Sequence, residues 1–403
     1  MEAAACPPAV LRISVRGGLS NQKECLINAG IVAGALNMTL QLPYFDLVGR
    51  GNEQFEPANA TYAAPYADRS RWGHFVHLFN ATRFIRGVKG RIKLLQRLRN
   101  VIGPGRPRIV RLPSELIVER CEARRRLRGT CEARRGDASV LEGLIALWRQ
   151  TIQEDCAKPA LMLPPPPPPS FFATSVVLQS PPPGGKWATV FDAGTSLCWN
   201  AYKSRFADDC IRQYPVCAPM IHSLRWSRVI SRLQQRVLRG ISHRVANMSG
   251  HTTLPASSVP PSWTAVHVRA FVCARNGRAP TFSHVIKALK RKGILSGILY
   301  LVSSVPIDAV QRALPTFQVV AKSSILGKNV HLKYPFEVLA AVDYGVAVAS
   351  PLYLGEPTSS SFDAFADEER QRRHLPAVAD IPSTCGDSAL DLEKELGASA
   401  GRV

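Results

Sequence analysis

A glycine turn near the N-terminus has the residue types of an anion-binding loop. It reads RGGLSNQ at residues 16–22 and lies between an apolar strand predicted over 10–15 and an apolar helix predicted over 21–36. Glycines allow close approach of a ligand to the backbone, and a helix N-terminus attracts anions. The Asn21 amide could donate to a phosphate or orient a hydroxyl. The pattern favours a phosphate-binding turn, although a tight turn in any α/β protein has the same composition.

A second candidate pair lies at the end of a strand in the second half of the chain. The segment TAVHVRAFVC at 264–273 is typical of a buried strand, and it carries His267 and Arg269 on one face. The planar guanidinium of Arg269 can hold phosphate oxygens with two hydrogen bonds. The alternatives left open are that Arg269 pairs with an acidic neighbour and that His267 is a hydrogen-bonded core histidine.

Three serines open a predicted helix near residue 360. Ser359, Ser360 and Ser361 offer hydroxyls and N–H groups to a ligand, or they serve as helix N-caps. No D-x-D pair follows a predicted strand, and Asp391 and Glu393 lie in a polar tail. We therefore expect fixed cations and N–H donors, rather than a metal, to stabilise a charged leaving group.

The elements that must position these residues alternate between strand and helix. In the second half, strands are predicted over 265–272, 297–303, 318–321 and 351–354, with helices over 282–292, 307–314 and 335–349. This alternation predicts a parallel sheet wrapped by helices. Ligands of such sheets bind beyond the carboxyl ends of the strands, where the glycine turn, Arg269 and the serine run all lie.

The first half contains further predicted elements and a proline-rich break. A strand is predicted over 39–42 and a helix over 141–152, and residues 224–241 have helical spacing with Val229, Leu233, Val237 and Ile241 on one face. Proline runs at 164–169 and 181–183 exclude helix and central strand there. The predicted organisation is an N-terminal lobe over 10–160, a surface insertion over 161–187, the rest of that lobe with interlobe helices over 188–257, a C-terminal lobe over 260–385 and a tail over 386–403.

In chain order, these motifs resemble those of the O-fucosyltransferase family, including its plant and algal branch. The matching patterns are G-G-L-x-N-Q, H-x-R and D…G…S-S-F-x-A-F…E-R, and the segments 36–43 and 75–85 are also similar, so the resemblance runs from residue 11 to about 373. It implies an α/β fold of two facing Rossmann-like lobes (GT-B type). It also implies inverting, metal-independent transfer of fucose from GDP-fucose to a protein Ser/Thr or a glycan hydroxyl.

The resemblance also implies roles for individual residues. Arg269 and Asn21 would be catalytic, with Arg269 holding the leaving diphosphate, and Asp343 would read the guanine edge unless it is simply an exposed helix residue. The implied substrate-binding set is Gly18, Leu19, Ser20, Asn21, His267, Arg269, Asp343, Ser359, Ser360, Ser361 and Phe362. No general base is identified, and no cofactor is expected beyond the donor substrate. The alternatives are a UDP-rhamnose-dependent enzyme of the same fold acting on a polysaccharide, or a basic binding protein that has lost catalysis.

The charge of the chain is strongly positive and uneven. The net charge is +21, and residues 83–135 hold 17 Lys and Arg against 4 Glu. This region is either a solvated basic face or a contact for an acidic glycan or a membrane surface. Nucleic acid is an unlikely partner, because aromatic residues are nearly absent from the segment and no nucleic-acid-binding motif occurs.

Cysteines, sequons and the N-terminus bear on the compartment. None of the ten cysteines forms a C-x-x-C pair, which disfavours structural zinc. If the chain is luminal, disulfides are expected among the cysteines of 121–217. Sequons begin at Asn37, Asn59, Asn80 and Asn247, and Asn37 is expected to be buried beside a strand. The resemblance implies the lumen of the endoplasmic reticulum or Golgi. We expect no membrane span, and no room for a signal peptide before the first strand, so an N-terminally incomplete sequence is one explanation.

Overall fold

The protein is an α/β protein with two parallel sheets. The computed structural model describes residues 9–15, 18–47, 72–95, 108–112, 138–156, 189–193, 214–249, 263–269, 282–303, 305–358 and 360–381. The chain divides into two compact units, Met1–Asp46 with Trp72–Arg225, and Leu47–Arg71 with Trp226–Val403. Each unit contains a five-stranded sheet in its described part. This confirms the predicted α/β class with two Rossmann-like lobes, whereas their facing arrangement stays a prediction.

The first unit is built around a buried parallel sheet. Its elements are β1 (Ala9–Arg12), α1 (Leu19–Ala35), β2 (Thr39–Gln41), β3 (Phe45–Asp46), β4 (Trp72–Gly73), α2 (Phe75–Leu78), α3 (Ala81–Val88), β5 (Lys93–Leu95), β6 (Arg108–Arg111), α4 (Ala138–Cys156), β7 (Thr189–Asp192) and α5 (Cys217–Ser223). The sheet order is β5-β2-β1-β7-β6, and β3 and β4 form a separate antiparallel pair. Val10 and Leu11 of β1 are fully buried, as expected for a central strand covered on both faces.

Helix α1 is a core helix, and this fixes the position of the glycine turn at its N-terminus. It begins at Leu19, two residues before the predicted start, and almost all of its residues are buried. Gly30 allows α5 to approach closely, because a Cβ at Gly30 would lie 2.3 Å from the Cε of Met220. The helix ends before Asn37, which is exposed and has a φ of 51°. The prediction that Asn37 is buried is therefore wrong: asparagine tolerates the left-handed conformation that terminates a helix.

The second unit repeats the parallel architecture. Its elements are α6 (Arg228–Ser249), β8 (Trp263–His267), α7 (Ser283–Arg291), β9 (Gly297–Val302), α8 (Ile307–Ala313), β10 (Phe317–Val320), α9 (Lys322–Leu326), α10 (Val330–Lys333), α11 (Phe336–Ala349), β11 (Leu352–Gly355), α12 (Ser361–Arg372) and β12 (Ala379–Asp380). The sheet order is β10-β9-β8-β11-β12. The strands and helices predicted for this half are confirmed to within a few residues, and residues 270–272 of the first predicted strand lie outside the described part.

Helix α6 differs from its prediction in the residues of its buried face. Its buried face contains Leu233, Val237 and Ile241, but Val229 is 49% exposed and Ile230 is buried instead. Residues four apart advance by more than one helical turn, so a row of four drifts off a single face over three turns. The helix lies in the second unit, within the predicted segment 188–257 that was assigned to the rest of the N-terminal lobe and to interlobe helices. It packs against α11, where Gln234 Nε2 donates to the Ala341 carbonyl oxygen at 2.8 Å.

The described residues include two cysteines in disulfide bonds. Cys25 of α1 and Cys217 of α5 are both fully buried and disulfide-bonded. Cys217 belongs to the group in which disulfides were predicted, whereas Cys121, Cys131, Cys198 and Cys210 lie outside the described residues, as does the proline-rich segment 161–187. No helix in the described part of the chain is both long and apolar enough to cross a membrane.

Candidate functional site

The polar residues of the second unit meet at one edge of its sheet. Strands β8 and β11 are parallel neighbours, with Leu354 opposite Val266, so that His267 and Gly355 lie at the same carboxyl edge. Arg269 follows β8, and α12 begins six residues after the end of β11. The edge therefore collects side chains from two strand ends and the first turn of one helix, which is where open parallel sheets bind ligands.

A pair formed by a half-buried histidine and a buried carboxylate lies at the centre of this edge. His267 Nδ1 is 2.9 Å from both carboxylate oxygens of Asp363, which is fully buried on α12. The His267 ring also contacts the Phe362 ring, with 4.9 Å between centroids. Asp363 accepts two further hydrogen bonds, from the Tyr353 hydroxyl and from the Glu356 backbone N–H at 2.9 Å. Both oxygens of the Asp363 carboxylate thus accept hydrogen bonds from within the protein.

These contacts keep Asp363 ionised despite its burial. Burial alone would raise the pKa of Asp363, but the charge of His267 and hydrogen bonds from His267, Tyr353 and the Glu356 N–H hold that pKa below its usual value. Conversely, burial, reinforced by the Asp363 charge and hydrogen bond, raises the pKa of Tyr353 well above that of a free tyrosine. Tyr353 therefore remains a neutral hydrogen-bond donor to a charged acceptor.

Gly355 is the reason that the carboxylate fits. A Cβ at this position would lie 2.8 Å from Asp363 Cγ and 2.9 Å from Oδ1. Any larger residue would have to displace the carboxylate that His267 contacts. The glycine at the end of β11 thus has a packing role at the site, and its φ is not in the left-handed region.

Arg269 has an acidic neighbour. Its Nη1 is 3.3 Å from Glu356 Oε2, and the Glu356 side chain is buried. Asp380 interacts electrostatically with Glu356 and Asp363. Its pKa is raised, first by burial and then by the charges of these two carboxylates. The acidic partner that the sequence left open for Arg269 is therefore present, and a role for Arg269 in holding diphosphate stays a prediction.

The serine run serves partly as a helix cap. Ser360 is the N-cap of α12, and its side chain accepts a hydrogen bond from the Asp363 N–H at 3.3 Å. Ser361 is the first residue of that helix, and Phe362 contacts both His267 and Tyr344 through its ring. Ser359 lies outside the described residues. The structure thus brings Ser360, Ser361 and Phe362 to the same edge as His267 and Arg269. The hydroxyl of Ser360 is already used as an acceptor in the helix cap.

Asp343 is placed differently from the other predicted residues. It is buried on α11, where Oδ1 accepts from the Tyr300 hydroxyl at 2.7 Å and Oδ2 accepts from Lys322 Nζ at 2.5 Å. The alternative of an exposed helix residue is therefore wrong. Guanine recognition by Asp343 stays a prediction, and it requires the base to share oxygens that Tyr300 and Lys322 already contact.

In the described part of the glycine turn of the first unit, a buried side-chain oxygen has no hydrogen-bond partner. Gly18 is the N-cap of α1, and no side chain caps this helix end. Leu19 and Ser20 are buried, and Asn21 Oδ1 is also buried, without a hydrogen bond among the described residues. Gly17 and Arg16 lie outside those residues. The Asn21 amide at the first turn of α1 retains the character of a polar-ligand contact.

Gln22 of the same motif has a structural contact that the sequence did not indicate. Its Nε2 donates to the Asp46 carbonyl oxygen at 2.8 Å, and its Oε1 accepts from the Asp46 N–H at 2.7 Å. The side chain thereby binds the backbone of β3 to the first turn of α1. The segment after β2 is in this way held beside the start of α1.

The described residues contain no group of three or more His, Cys, Asp and Glu side chains arranged to hold a metal ion. The expectation of metal independence stays a prediction that chelation can test.

Sequence reasoning missed Asp363, Tyr353 and Glu356. A signal for Asp363 existed, because Ser360 and Asp363 have the S-x-x-D spacing of a capping box. That pattern predicts a carboxylate bound to the Ser360 N–H. In the structure the Ser360 N–H donates to the Glu356 carbonyl oxygen at 2.8 Å, and the Asp363 carboxylate is available to His267.

Comparisons with known proteins give distant structural similarities. No protein-family model matches the sequence, and no curated protein matches it significantly. POFUT1, crystallised with GDP-fucose, is 12% identical with a TM-score of 0.46, covering 95% of this chain and 100% of that chain. The fucosyltransferase NodZ from Bradyrhizobium is 13% identical with a TM-score of 0.41, covering 94% and 98%. Similarity at this level establishes no family membership.

Proposed function

We propose that this protein is an inverting, metal-independent glycosyltransferase that transfers fucose from GDP-fucose to a protein Ser/Thr or a glycan hydroxyl. The observation that carries the proposal is the grouping of His267, Arg269 and the start of α12 at one carboxyl edge, in residues that match the resembled motifs. The identity of the donor sugar is inferred from the motif resemblance. The stabilisation of a charged leaving group is inferred from the charged residues at that edge.

Transfer requires stabilisation of the diphosphate as negative charge accumulates on it. The guanidinium of Arg269 carries five N–H donors, so it can contact Glu356 and phosphate oxygens together. The N-terminus of α12 adds its dipole at the same edge. Asn21, in the first turn of α1, would orient the acceptor hydroxyl or donate to phosphate.

The first test compares nucleotides. GDP should raise the melting temperature more than UDP does, because a carboxylate such as Asp343 can accept from guanine N1–H and N2–H and uracil lacks that donor pair. GDP-fucose should be hydrolysed or transferred in excess EDTA. Asp343→Asn should remove the preference for GDP if this residue reads the base.

Each alternative has its own signature in the same experiments. A larger shift with UDP, together with turnover of UDP-rhamnose, would assign the rhamnosyltransferase alternative. Loss of turnover on chelation, restored by Mn²⁺, would show that a metal takes part. Binding of a nucleotide without turnover of any nucleotide sugar would identify a binding protein that has lost catalysis.

The second test changes Arg269. Arg269→Ala should lower turnover by about two to three orders of magnitude while GDP affinity changes much less, because leaving-group charge is greatest in the transition state. Arg269→Lys should restore little, since a point charge cannot replace a two-pronged contact. Calorimetric GDP binding alongside donor hydrolysis separates the two effects. Near-normal turnover in a folded alanine variant would place the clamp elsewhere.

The proposed partners include a polyanionic surface contact. Most of the basic region 83–135 lies outside the described residues, but the exposed side of α6 continues the basic character with Arg228, Arg232, Arg236 and Arg239. The 22 residues of this helix include no Asp or Glu. An acidic glycan or an anionic membrane surface fits this charge, and retention on heparin at raised salt tests the first of these.

The proposed location is the lumen of the endoplasmic reticulum or Golgi. The disulfide-bonded state of Cys25 and Cys217 supports an oxidising compartment. Asn247, which begins a sequon, is exposed on α6. Mobility shift on endoglycosidase treatment of the protein from its native source would test the location.

A further inference from the structure

His267 has one ring nitrogen committed to the protein and one available for chemistry. Its Nδ1 lies 2.9 Å from both oxygens of Asp363, and an ionised carboxylate can only accept, so Nδ1 carries the proton. No described residue forms a hydrogen bond with Nε2, and the side chain is 16% exposed. In the neutral ring Nε2 is therefore a lone-pair acceptor with some access to solvent.

The carboxylate that orients the ring is itself held on three sides. The Tyr353 hydroxyl and the Glu356 N–H donate to it, and Gly355 lies directly against it. Asp363 and Tyr353 are fully buried. A carboxylate fixed in this way determines both the tautomer and the rotation of an imidazole, which is the structural requirement for a general base.

We propose that His267 is the catalytic base of the transfer and that Asp363 is its positioning residue, an inference that rests on the function proposed above. The acceptor O–H bond breaks and its proton moves to Nε2. The acceptor oxygen forms a bond to C1 of fucose, while the bond from C1 to the phosphate oxygen breaks and its electron pair leaves with GDP. The imidazolium then returns the proton to solvent.

The position of Arg269 suits this division of roles. His267 and Arg269 are two residues apart, which separates their Cα atoms by about 7 Å in an extended strand. An inverting displacement needs the base and the leaving-group cation on opposite sides of the anomeric carbon. Two side chains with that separation on one face can flank a single sugar ring.

The charged groups around the His267 ring come from several elements. Asp363 contacts the ring from α12. Beyond it, Glu356 after β11 pairs with Arg269 after β8, and the charges of Glu356 and Asp363 act on Asp380 of β12. Tyr353 lies behind Asp363 and is neutral.

The test is the pH dependence of GDP-fucose hydrolysis, with water as the probe acceptor. The turnover rate should rise with pH across the range of about 5 to 8 in which histidine loses its proton. His267→Gln should lower the rate by about 10²- to 10⁴-fold, with GDP affinity nearly unchanged. Asp363→Asn should lower the rate and flatten the profile. Asp367→Asn is the matched control, since Asp367 lies on the same helix but accepts from the Val378 N–H and should leave the profile unchanged.

Two further measurements keep the proposal decidable. If Asp363→Asn does not fold, Tyr353→Phe keeps the ring and removes one hydrogen bond to Asp363, and the rise in rate should then move to higher pH. NMR of the imidazole nitrogens should show the Nδ1–H tautomer in the wild-type protein at high pH. An Nε2–H tautomer, or an active enzyme whose rate falls as pH rises, would overturn the assignment of His267 as the catalytic base. Absence of any nucleotide-sugar turnover would instead overturn the proposed function, and the base with it.

Discussion

At the scale of single residues, Asp363 shows how strongly a site depends on hydrogen-bond geometry. The residue is fully buried, and burial by itself disfavours a charged carboxylate. Three donors compensate, namely His267, Tyr353 and the Glu356 backbone. Because these donors lower the pKa of Asp363 in the folded protein, the stability of the fold depends on pH.

We predict that Asp363 stabilises the fold at neutral pH and that this contribution is lost in acid. Its pKa is lower in the folded than in the unfolded state, so the stabilisation is present above the unfolded value and declines as pH falls through the folded one. Asp363→Asn should lower the free energy of unfolding by about 3–5 kcal/mol at pH 6, the scale for breaking a buried pair. The deficit should shrink towards pH 3.

Urea unfolding of both proteins across pH 3–7 measures this difference. A deficit that stays constant with pH would mean that packing, rather than charge, accounts for the cost of the substitution. Asp367→Asn provides the reference for a carboxylate on the same helix that accepts from the Val378 N–H and the Gln371 side-chain amide.

The same scale shows where sequence prediction of the site stopped. His267, Arg269, Ser360, Ser361 and Phe362 do gather at one edge, because motif order and strand ends can be recognised from residue types alone. Which oxygen accepts from which donor depends on side-chain directions that only the packed structure defines. Asp363 was consequently missed, and Asp343 proved to be buried against β9 and Lys322.

At the scale of elements, Arg370 joins α12 to the end of α11. The residue is fully buried, and its Nη1 donates to the carbonyl oxygens of Ala347, Val348 and Ser350 at 3.2, 3.0 and 2.6 Å. These carbonyls belong to the last turn of α11 and the residue that follows it, where helix carbonyls lack i+4 partners. Ala347 also accepts from the Ser350 N–H and hydroxyl, so Arg370 matters most for Val348 and Ser350. The final residue of the E-R pattern thus has a structural role.

We predict that Arg370→Met lowers the free energy of unfolding by about 3 kcal/mol, because it removes the donor to the Val348 and Ser350 carbonyls and each carbonyl left unpaired in the core costs about 1–3 kcal/mol. Thermal and urea unfolding give the value. Arg373→Met is the matched control: Arg373 is 50% exposed and pairs with Glu369, so its loss should cost at most about 1 kcal/mol. Equal losses of unfolding free energy in the two variants would show that the buried hydrogen bonds of Arg370 stabilise the fold no more than an exposed ion pair does.

Element boundaries were predictable where apolar spacing was clear. The strands and helices of the second unit were found to within a few residues, because buried parallel strands are continuous apolar runs. Helix α6 was less well predicted, since a row of residues four apart was taken for one face and Val229 proved to be exposed. Its membership of the second unit follows from contacts with α11, and the sequence does not encode those locally.

At the scale of the whole molecule, disulfide bonds add covalent cross-links to the packing of the first unit. Cys25 and Cys217 are buried in the first unit and are disulfide-bonded. Spacing along the chain suggested disulfides in the 121–217 group but did not identify Cys25. Disulfide partners are set by the fold, and many pairings are compatible with one sequence.

We predict that reduction destabilises the protein. Loss of a native disulfide should lower the free energy of unfolding by about 2–5 kcal/mol, measured by urea denaturation with and without reductant. Thiol titration of the unreduced protein in denaturant should find fewer than the ten thiols that the sequence supplies. Detection of all ten would contradict the disulfide assignment.

The two hydrogen bonds between Gln22 and Asp46 have a kinetic consequence. The Gln22 side-chain amide bonds the N–H and carbonyl oxygen of Asp46 as the peptide group of a neighbouring strand would. These backbone groups of Asp46 are therefore protected by a helix residue. Hydrogen exchange at that amide then requires the first turn of α1 to release it. The Asp46 N–H should therefore exchange together with the amides of α1, as one opening unit, and Gln22→Ala should make it exchange independently.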